Sequence, residues 1–553
     1  MKKIKGFIVG IFIGLSVVLS FGFADNYFEL SKNLDIFSTL FKELNIYYVD
    51  ETQPGELMKT AIDEMLKSLD PYTNYIPESQ IEDFRFMTTG QYGGIGSLIH
   101  SKDGKIYISE PYEGFPAFKA GLKAGDEVIS IDGKELEGKT TSDISKVLKG
   151  QAGTSVKIKV KRAGSNEILT KTLERENIKI EDVPYYGMLD QEVGYIKLTS
   201  FTQTASQEFI SAFKDLKENQ GMKKLIFDLR GNGGGLLVQA VEIVNTVIPK
   251  GKLVVETRGK RKEWDATYKT TKEAIDTEIP IVVLVNEGSA SASEIVAGTL
   301  QDYDRAVILG KQTFGKGLVQ QTVPLSYHAQ LKVTVAKYYI PSGRCIQKLD
   351  YSNKNQDGIA QQVPDSLIHS FKTLVNQREV FDGKGIKPDI ETEDQLLSPL
   401  SIALMRQYLV FDYATQYELN HKEIEAAKDF NLSDDSYNEF VSFLADKEYD
   451  YETQSEKLLE KLKKVAQKEK YYKSAESEYE ALLSKLTPSK EEDLKNFQEE
   501  ITQVLENEIV SRYYYQNGRI VQSLSEDNDI QKALDLLNSK DQYNEILAGT
   551  FKK

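Results

Sequence analysis

Apolar positions recur along the chain with changing periods, and the changes divide it. Leu30, Leu34, Phe37, Phe41 and Leu44 fall on one helical face. Leu57, Ala61, Met65 and Leu69 form a second helical pattern that Pro71 stops. This predicts a small N-terminal helical domain over 25–90. From Gln91 the pattern turns to short β-type runs broken by glycine, bounded at 91–172. Ile106–Ser109, Glu127–Asp132 and Ser155–Arg162 read as strands and Thr141–Leu148 as a helix.

Over 173–396, apolar strands alternate with helix-length segments. The strands are Val193–Leu198, Leu225–Arg230, Ile281–Val285, Ala306–Gly310 and Leu331–Tyr339. Such alternation predicts an α/β domain with both sheet faces covered. Beyond Leu397, Glu, Lys and Tyr dominate, glycine nearly vanishes and helical patterns such as "SEKLLEKLKKVAQ" recur. The segment 397–553 reads as a mostly solvated helical extension without chemistry of its own. The fold class is therefore multidomain α/β.

Length agrees with this division, since 553 residues exceed a single core. The net charge of −15 argues against a nucleic-acid partner, which needs a basic surface. A lone cysteine, Cys345, rules out an intrachain disulfide. With no His-Glu-x-x-His run and no cysteine pair, neither a metal nor another cofactor is expected. The N-terminus changes the picture more. "MKKIKG" is basic, and "FIVGIFIGLSVVLSFGFA" is uncharged, apolar and ends in small residues. Residues 1–24 read as a signal peptide cut after Ala24 or as a retained membrane anchor, and both place the rest of the chain outside the cytoplasm.

The chemistry concentrates in three loops that follow apolar strands. "NEGSASASEIVAG" carries three alternating serines at a strand-to-helix turn, and Ser291 with Glu294 fits a capping box. Helix capping alone would account for the pair. The same turn, however, places a serine hydroxyl beside unpaired N–H groups at the positive end of a helix. "DLRGNGGG" supplies further N–H groups, and lacks the Gly-Lys-Ser/Thr of a phosphate loop. None of the four histidines (His100, His328, His369, His421) lies near the serines in sequence, so a base other than imidazole is indicated.

"GKQTFGKGLVQQT" offers Lys316 between two glycines, with Phe314, Leu318 and Val319 to exclude water. A lysine base needs that exclusion, because at its reference pKa only about one in 2,500 is neutral at pH 7. A fall of about three units costs roughly 4 kcal/mol of ion stability, which the fold must supply.

"GSASASEI", "FGKG" followed by "VQ", "DLRGNGGG", "YYIPSGR" and "GIKPD" together resemble the C-terminal processing (tail-specific) serine proteases. The likeness runs from about Asp35 to Ile390 and includes "LDPYTNYIP". It implies a protease domain of the ClpP/crotonase-like type, with Ser291 as nucleophile, Lys316 as base and Gln320, one helical turn on, orienting the amine. It also implies an oxyanion hole from the N–H of Ala292 and of Gly234 or Gly235. Asp302 matches a family position, and reads as a support for its helix. The block at 91–172, with "YGGIGSLI" and "PAFKAGLKAGDEVISIDGKEL", resembles a PDZ domain. There the loop Gly93, Gly94, Ile95, Gly96 would receive a peptide's terminal carboxylate through backbone N–H groups.

The reading is an exported, envelope- or periplasm-facing serine endopeptidase acting on protein or peptide substrates with free apolar C-termini. The rivals are a non-catalytic PDZ scaffold of the envelope and an amidohydrolase of small amides. A membrane tether, and a homo-oligomer or adaptor contact through the helical regions, complete the expected partners.

Overall fold

Three motif loops far apart in sequence come together if their strands are parallel, and that is what the computed structural model contains. It describes residues 27–551 except 166, 394, 395 and 488. The stretch 1–24, read as signal peptide or anchor, lies outside the described residues.

The chain divides into two units. The first comprises 27–75 with Leu331–Val333. Its helices are α1 (27–47) and α2 (Pro54–Lys67), the latter with Pro54 at its first position. The apolar face of α1 is exposed at Leu30, Leu34, Phe37 and Leu44. Where Pro71 ends the helical pattern, the Asp70 carboxylate accepts the N–H groups of Tyr72 and Thr73, both at 2.8 Å.

The second unit, taken by itself, opens with the PDZ block. Strand β1 (Gln91–Gly94) pairs antiparallel with β7 (Glu176–Lys179). Strands β2 (Ser97–Lys102), β3 (Lys105–Pro111), β4 (Glu127–Ile131), β5 (Ser155–Lys161) and β6 (Ile168–Glu174) form a sheet in that order, which leaves β2 at an edge. Helix α3 (Thr141–Leu148) lies beside β2 and starts at a Thr140–Asp143 capping box. Ile106, Ile108, Val156, Ile158 and Val160 alternate inward to form the core.

The α/β part is a six-stranded sheet: β8 (Tyr185–Met188), β9 (Val193–Lys197), β10 (Lys224–Asp228), β12 (Ile281–Val285), β13 (Val307–Gly310) and β16 (Ile390–Glu391). All neighbours are parallel except β8 with β9. A second sheet contains β11 (Leu253–Gly259), β14 (Leu318–Pro324) and β15 (Gln330–Tyr339). On one face of the six-stranded sheet, Leu225, Phe227, Ile281, Val283 and Ile308 pack against α4 (Ala205–Glu218), α5 (Leu237–Val244) and α6 (Ala292–Asp302).

The opposite face carries the alternate residues Tyr195, Ile226, Val282, Leu284, Val307 and Leu309. They are covered by the end of α7 (Gln498–Leu524), α8 (Asn528–Asn538) and α9 (Lys540–Ala548), through Leu524, Ile530, Leu536, Leu537 and Ile546. The Tyr543 hydroxyl reaches the backbone O of Ile281 at 3.1 Å. The expectation of a solvated extension fits Gln454–Lys468, where Leu458 and Leu462 are exposed, but not α8 and α9. These helices complete the layered core, because a parallel sheet must be covered on both faces.

Helices of the extension also touch the PDZ block. His100 of β2 stacks on Tyr408 at 4.1 Å, and Glu110 pairs with Arg519 at 3.1 Å. Burial holds the His100 imidazole down at about 4, so it is neutral in this contact at ordinary pH.

Candidate active site

The carboxyl ends of parallel strands face one way, so the loops after β10, β12 and β13 emerge together, where α/β sheets place their ligands. These are the three loops that carry the glycines, the serines and Lys316.

Ser291 caps α6 with φ 55° and ψ −110°. A non-glycine residue in that region costs of order 1–3 kcal/mol and persists only when its surroundings over-determine it. The flanking serines show how the turn is held. Ser289 is fully buried; its hydroxyl donates to Leu229 O at 2.8 Å and accepts the Asn286 N–H at 3.0 Å. Ser293, also buried, donates to Asn232 O at 2.8 Å. Both tie the serine turn to the glycine loop, while Ser291 alone of the three is partly exposed.

Glu294 joins this turn to the lysine loop. Its Oε2 accepts the N–H of Ser291 at 2.8 Å and that of Lys316 at 2.9 Å. Its Oε1 accepts the N–H of Gly315 at 2.7 Å and the Thr313 hydroxyl at 2.6 Å. The residue that looked like half of a capping box is therefore also a clamp across two loops. The carbonyls are joined too: the Tyr338 hydroxyl lies 2.7 Å from Lys316 O and 3.1 Å from Ser291 O.

The glycines beside Lys316 are there for close approach. Gly315 has φ +85°, and a Cβ there would lie 2.5 Å from Lys348 Cβ; one on Gly317 would lie 2.8 Å from Gln347 N. Lys316 itself is half-buried. Of the apolar neighbours expected to dry it, Leu318 is buried but Phe314 is exposed.

Gln320 departs from the expected geometry. It lies in strand β14, not one helical turn after Lys316, and its Nε2 donates to the Thr334 hydroxyl at 3.2 Å. Polar residues crowd this strand and hide its period. Asp302 closes the far end of α6, about 16 Å from Ser291 at 1.5 Å per residue. It is buried against Arg344 at 2.9 Å and accepts the Ser342 N–H at 2.8 Å, a support for the helix end.

The N–H groups of Gly235, in the glycine loop, and of Ala292, at the first position of α6, make no hydrogen bond among the described residues. The Gly234 N–H is already spent on Asn232 Oδ1 at 2.9 Å. Gly234 contributes space instead, for a Cβ there would sit 2.9 Å from Ala292 N and 2.8 Å from Ser291 Cβ. Upstream, Arg230 is held by the buried Asp228 (2.8 Å) and by Asp527 (2.7 Å), the N-cap of α8. Burial alone would raise the Asp228 carboxyl, yet Arg230 and Lys197 hold it well below the usual range.

In the PDZ block, Gly93 and Gly94 belong to β1, opposite Asn177 and Glu176, so only Ile95 and Gly96 form the loop before β2. The carbonyls of Ile95 and Gly96 are taken by the N–H groups of Ala117 (2.8 Å) and Tyr112 (2.9 Å). Their own N–H groups make no hydrogen bond among the described residues. The exposed edge of β2 and helix α3 flank this loop.

Burial pushes the Glu294 carboxyl up to about 7, against the pull of its four donors. A raised carboxyl stabilises the fold fully below its unfolded pKa and loses that contribution as pH rises through about 7. The Glu294→Gln variant should therefore lack a stability loss of about 3 kcal/mol that the parent shows between pH 4.5 and 7. Thermal melts of both proteins across that range measure it. A parent and variant with parallel pH profiles would contradict the assignment.

Sequence reasoning missed the clamp by Glu294 and the bridge by Tyr338. The first was hidden by an ordinary capping motif, and the second sits on a strand with no local spacing to the serine.

Residues 192–360 match Peptidase family S41, residues 107–162 match a PDZ domain, and residues 400–537 match "Probable PDZ-protease, C-terminal helical domain". The chain is 36% identical over 352 residues to a carboxy-terminal-processing protease of Bartonella bacilliformis, across 63% of this chain and 80% of that one. It is 32% identical over 436 residues to the carboxy-terminal processing protease CtpA of Bacillus subtilis, across 78% of this chain and 91% of that one. A solved photosystem II D1 C-terminal processing protease aligns over 65% of this chain and 87% of its own, with 28% identity and a TM-score of 0.35.

Proposed function

The chain belongs to the carboxy-terminal processing proteases of peptidase family S41, and from that premise we propose an exported endopeptidase with a Ser291–Lys316 dyad. The observation that carries this reading is the double tie, through Glu294 and the Tyr338 hydroxyl, that binds the Ser291 turn to the Lys316 loop.

In the proposed reaction a neutral Lys316 takes the proton of Ser291 as its Oγ attacks the scissile carbonyl carbon. The N–H groups of Ala292 and Gly235 receive the oxyanion, and Gly234 lets the loop approach. The lysine then passes its proton to the leaving amine, the C–N bond breaks, and water frees the acyl-enzyme. Gln320, whose amide is on the Thr334 hydroxyl, takes no step in this scheme. The basic and then apolar N-terminus supports export, as a cleaved leader or as a retained tether in the envelope.

Incubation with a fluorophosphonate and mass mapping of the labelled peptide tests the dyad; label on a residue other than Ser291 removes it. The rate of turnover should rise with pH as the lysine loses its proton, and Lys316→Arg should be inactive because guanidinium stays charged. A profile flat from acid to alkaline pH, with chemistry rate-limiting, would exclude a lysine base.

The PDZ block is proposed to read the substrate's tail, with the carboxylate on the Ile95 and Gly96 N–H groups and the peptide extending β2. Each such hydrogen bond is worth roughly 1.5–3 kcal/mol, so amidating a substrate's C-terminus should slow processing about tenfold or more. Gly96→Val should do similar damage, since Gly96 has φ +70° and a Cβ there would lie 2.5 Å from Phe115 Cβ. The same variant should still react with the fluorophosphonate. Equal rates on acid and amide substrates would remove tail reading.

A further inference from the structure

Ser291 is held in its disfavoured conformation from both sides of its backbone. Glu294 takes its N–H, and its carbonyl receives the Ile295 N–H at 2.9 Å as well as the Tyr338 hydroxyl. Lys316 is fixed in the same manner, by Glu294 at its N–H and by Tyr338 at its carbonyl. The two clamps differ in origin. Glu294 stands on α6, the helix that Ser291 itself caps, and so moves with the serine. Tyr338 comes from β15 in the other sheet, is 1% exposed, and packs in the core that also holds Ile340, Ile346 and Ile386. Its own N–H donates to Gly317 O at 2.9 Å, which registers the strand against the lysine loop a second time.

We propose that Tyr338 is a positioning residue for the reaction, its hydroxyl setting the separation between the nucleophile's turn and the base's loop. The inference rests on the Ser291–Lys316 reading and deepens it. A hydroxyl has a single proton, so the two carbonyls share one donor, and either loop moving away breaks the shared geometry. The ring supplies packing, while the oxygen alone supplies register. Proton transfer between Ser291 and Lys316 depends steeply on that register, because the base must lie within hydrogen-bond reach of the proton it takes. Substrate affinity does not depend on it.

The decisive variant is Tyr338→Phe, which keeps the ring in the core and removes the oxygen. Measured on the full chain at 25 °C with a peptide substrate, kcat should fall by about 10- to 100-fold with KM within threefold. The second-order rate of fluorophosphonate labelling should fall in parallel, and the apparent pKa of kcat/KM should move by at least half a unit. A purely structural tyrosine would lower Tm and leave the rate per folded molecule and the pH profile unchanged, and that result overturns the proposal.

Should Tyr338→Phe fail to fold, 3,5-difluorotyrosine at position 338 retains ring and hydroxyl while making the donor more acidic. A shifted pH profile then supports the role, and an unchanged one overturns it. Ser291→Ala is run beside both variants. If it retains turnover, the dyad itself is wrong and the inference falls with it; if it is inactive while Tyr338→Phe matches the parent, the inference alone falls.

Discussion

Replacing Ser291 by alanine should abolish turnover, replacing Lys316 by alanine should do the same, and the double variant should be no worse than either. Groups that act as one unit are not additive, and loss of either leaves only binding and oxyanion stabilisation. The expected fall is roughly 10⁴-fold or more in kcat, read from single-turnover cleavage of a peptide. Ser289→Ala separates this from a general effect on the turn. Its hydroxyl spans from Leu229 O to the Asn286 N–H and is fully buried, so its loss should cost about 1–3 kcal/mol of stability. The folded fraction should still cleave. An inactive but folded Ser289→Ala beside an active Ser291→Ala would reverse the assignment.

The parts of this site that were legible in sequence are those fixed by local rules. Thr141–Leu148 and Ile281–Val285 have the same limits in sequence pattern and structure, because a capping box and an unbroken apolar run mark them. That the three loops meet follows from the parallel order of β10, β12 and β13, which the alternation of strands and helices did not by itself give. Gln320 could not be placed either, since "LVQQTVP" mixes polar and apolar residues and its strand is set by pairing with β15. Gly93 and Gly94 were absorbed into a strand whose partner, Glu176–Lys179, lies far along the chain. Tyr338 acts across two sheets, and nothing in its own neighbourhood announces that. Each miss is a long-range contact replacing a local preference.

The extension was misread for a different reason, and its correction yields the second large effect. The strands of the six-stranded sheet are apolar on both faces, whereas α4, α5 and α6 all lie on one of them. A second layer was therefore required, and only the C-terminal helices remained to provide it. Ile530 and Leu537 of α8 are 1% and 4% exposed against that sheet. Ile530→Ala and Leu537→Ala should each cost about 2–5 kcal/mol, the usual range for a large-to-small change in a core. Together they approach the whole stability of a typical domain, about 5–15 kcal/mol, so the double variant should lose cooperative unfolding and protease activity together. Leu458→Ala and Leu462→Ala provide the contrast. Both side chains are more than half exposed, at 65% and 56%, and each change should stay within about 0.5 kcal/mol. Denaturant unfolding of the four single variants, with residual peptidase activity measured on each, compares the two sets. If Ile530→Ala proved as mild as Leu458→Ala, α8 would not be part of the protease core, and the sheet's second face would need another cover.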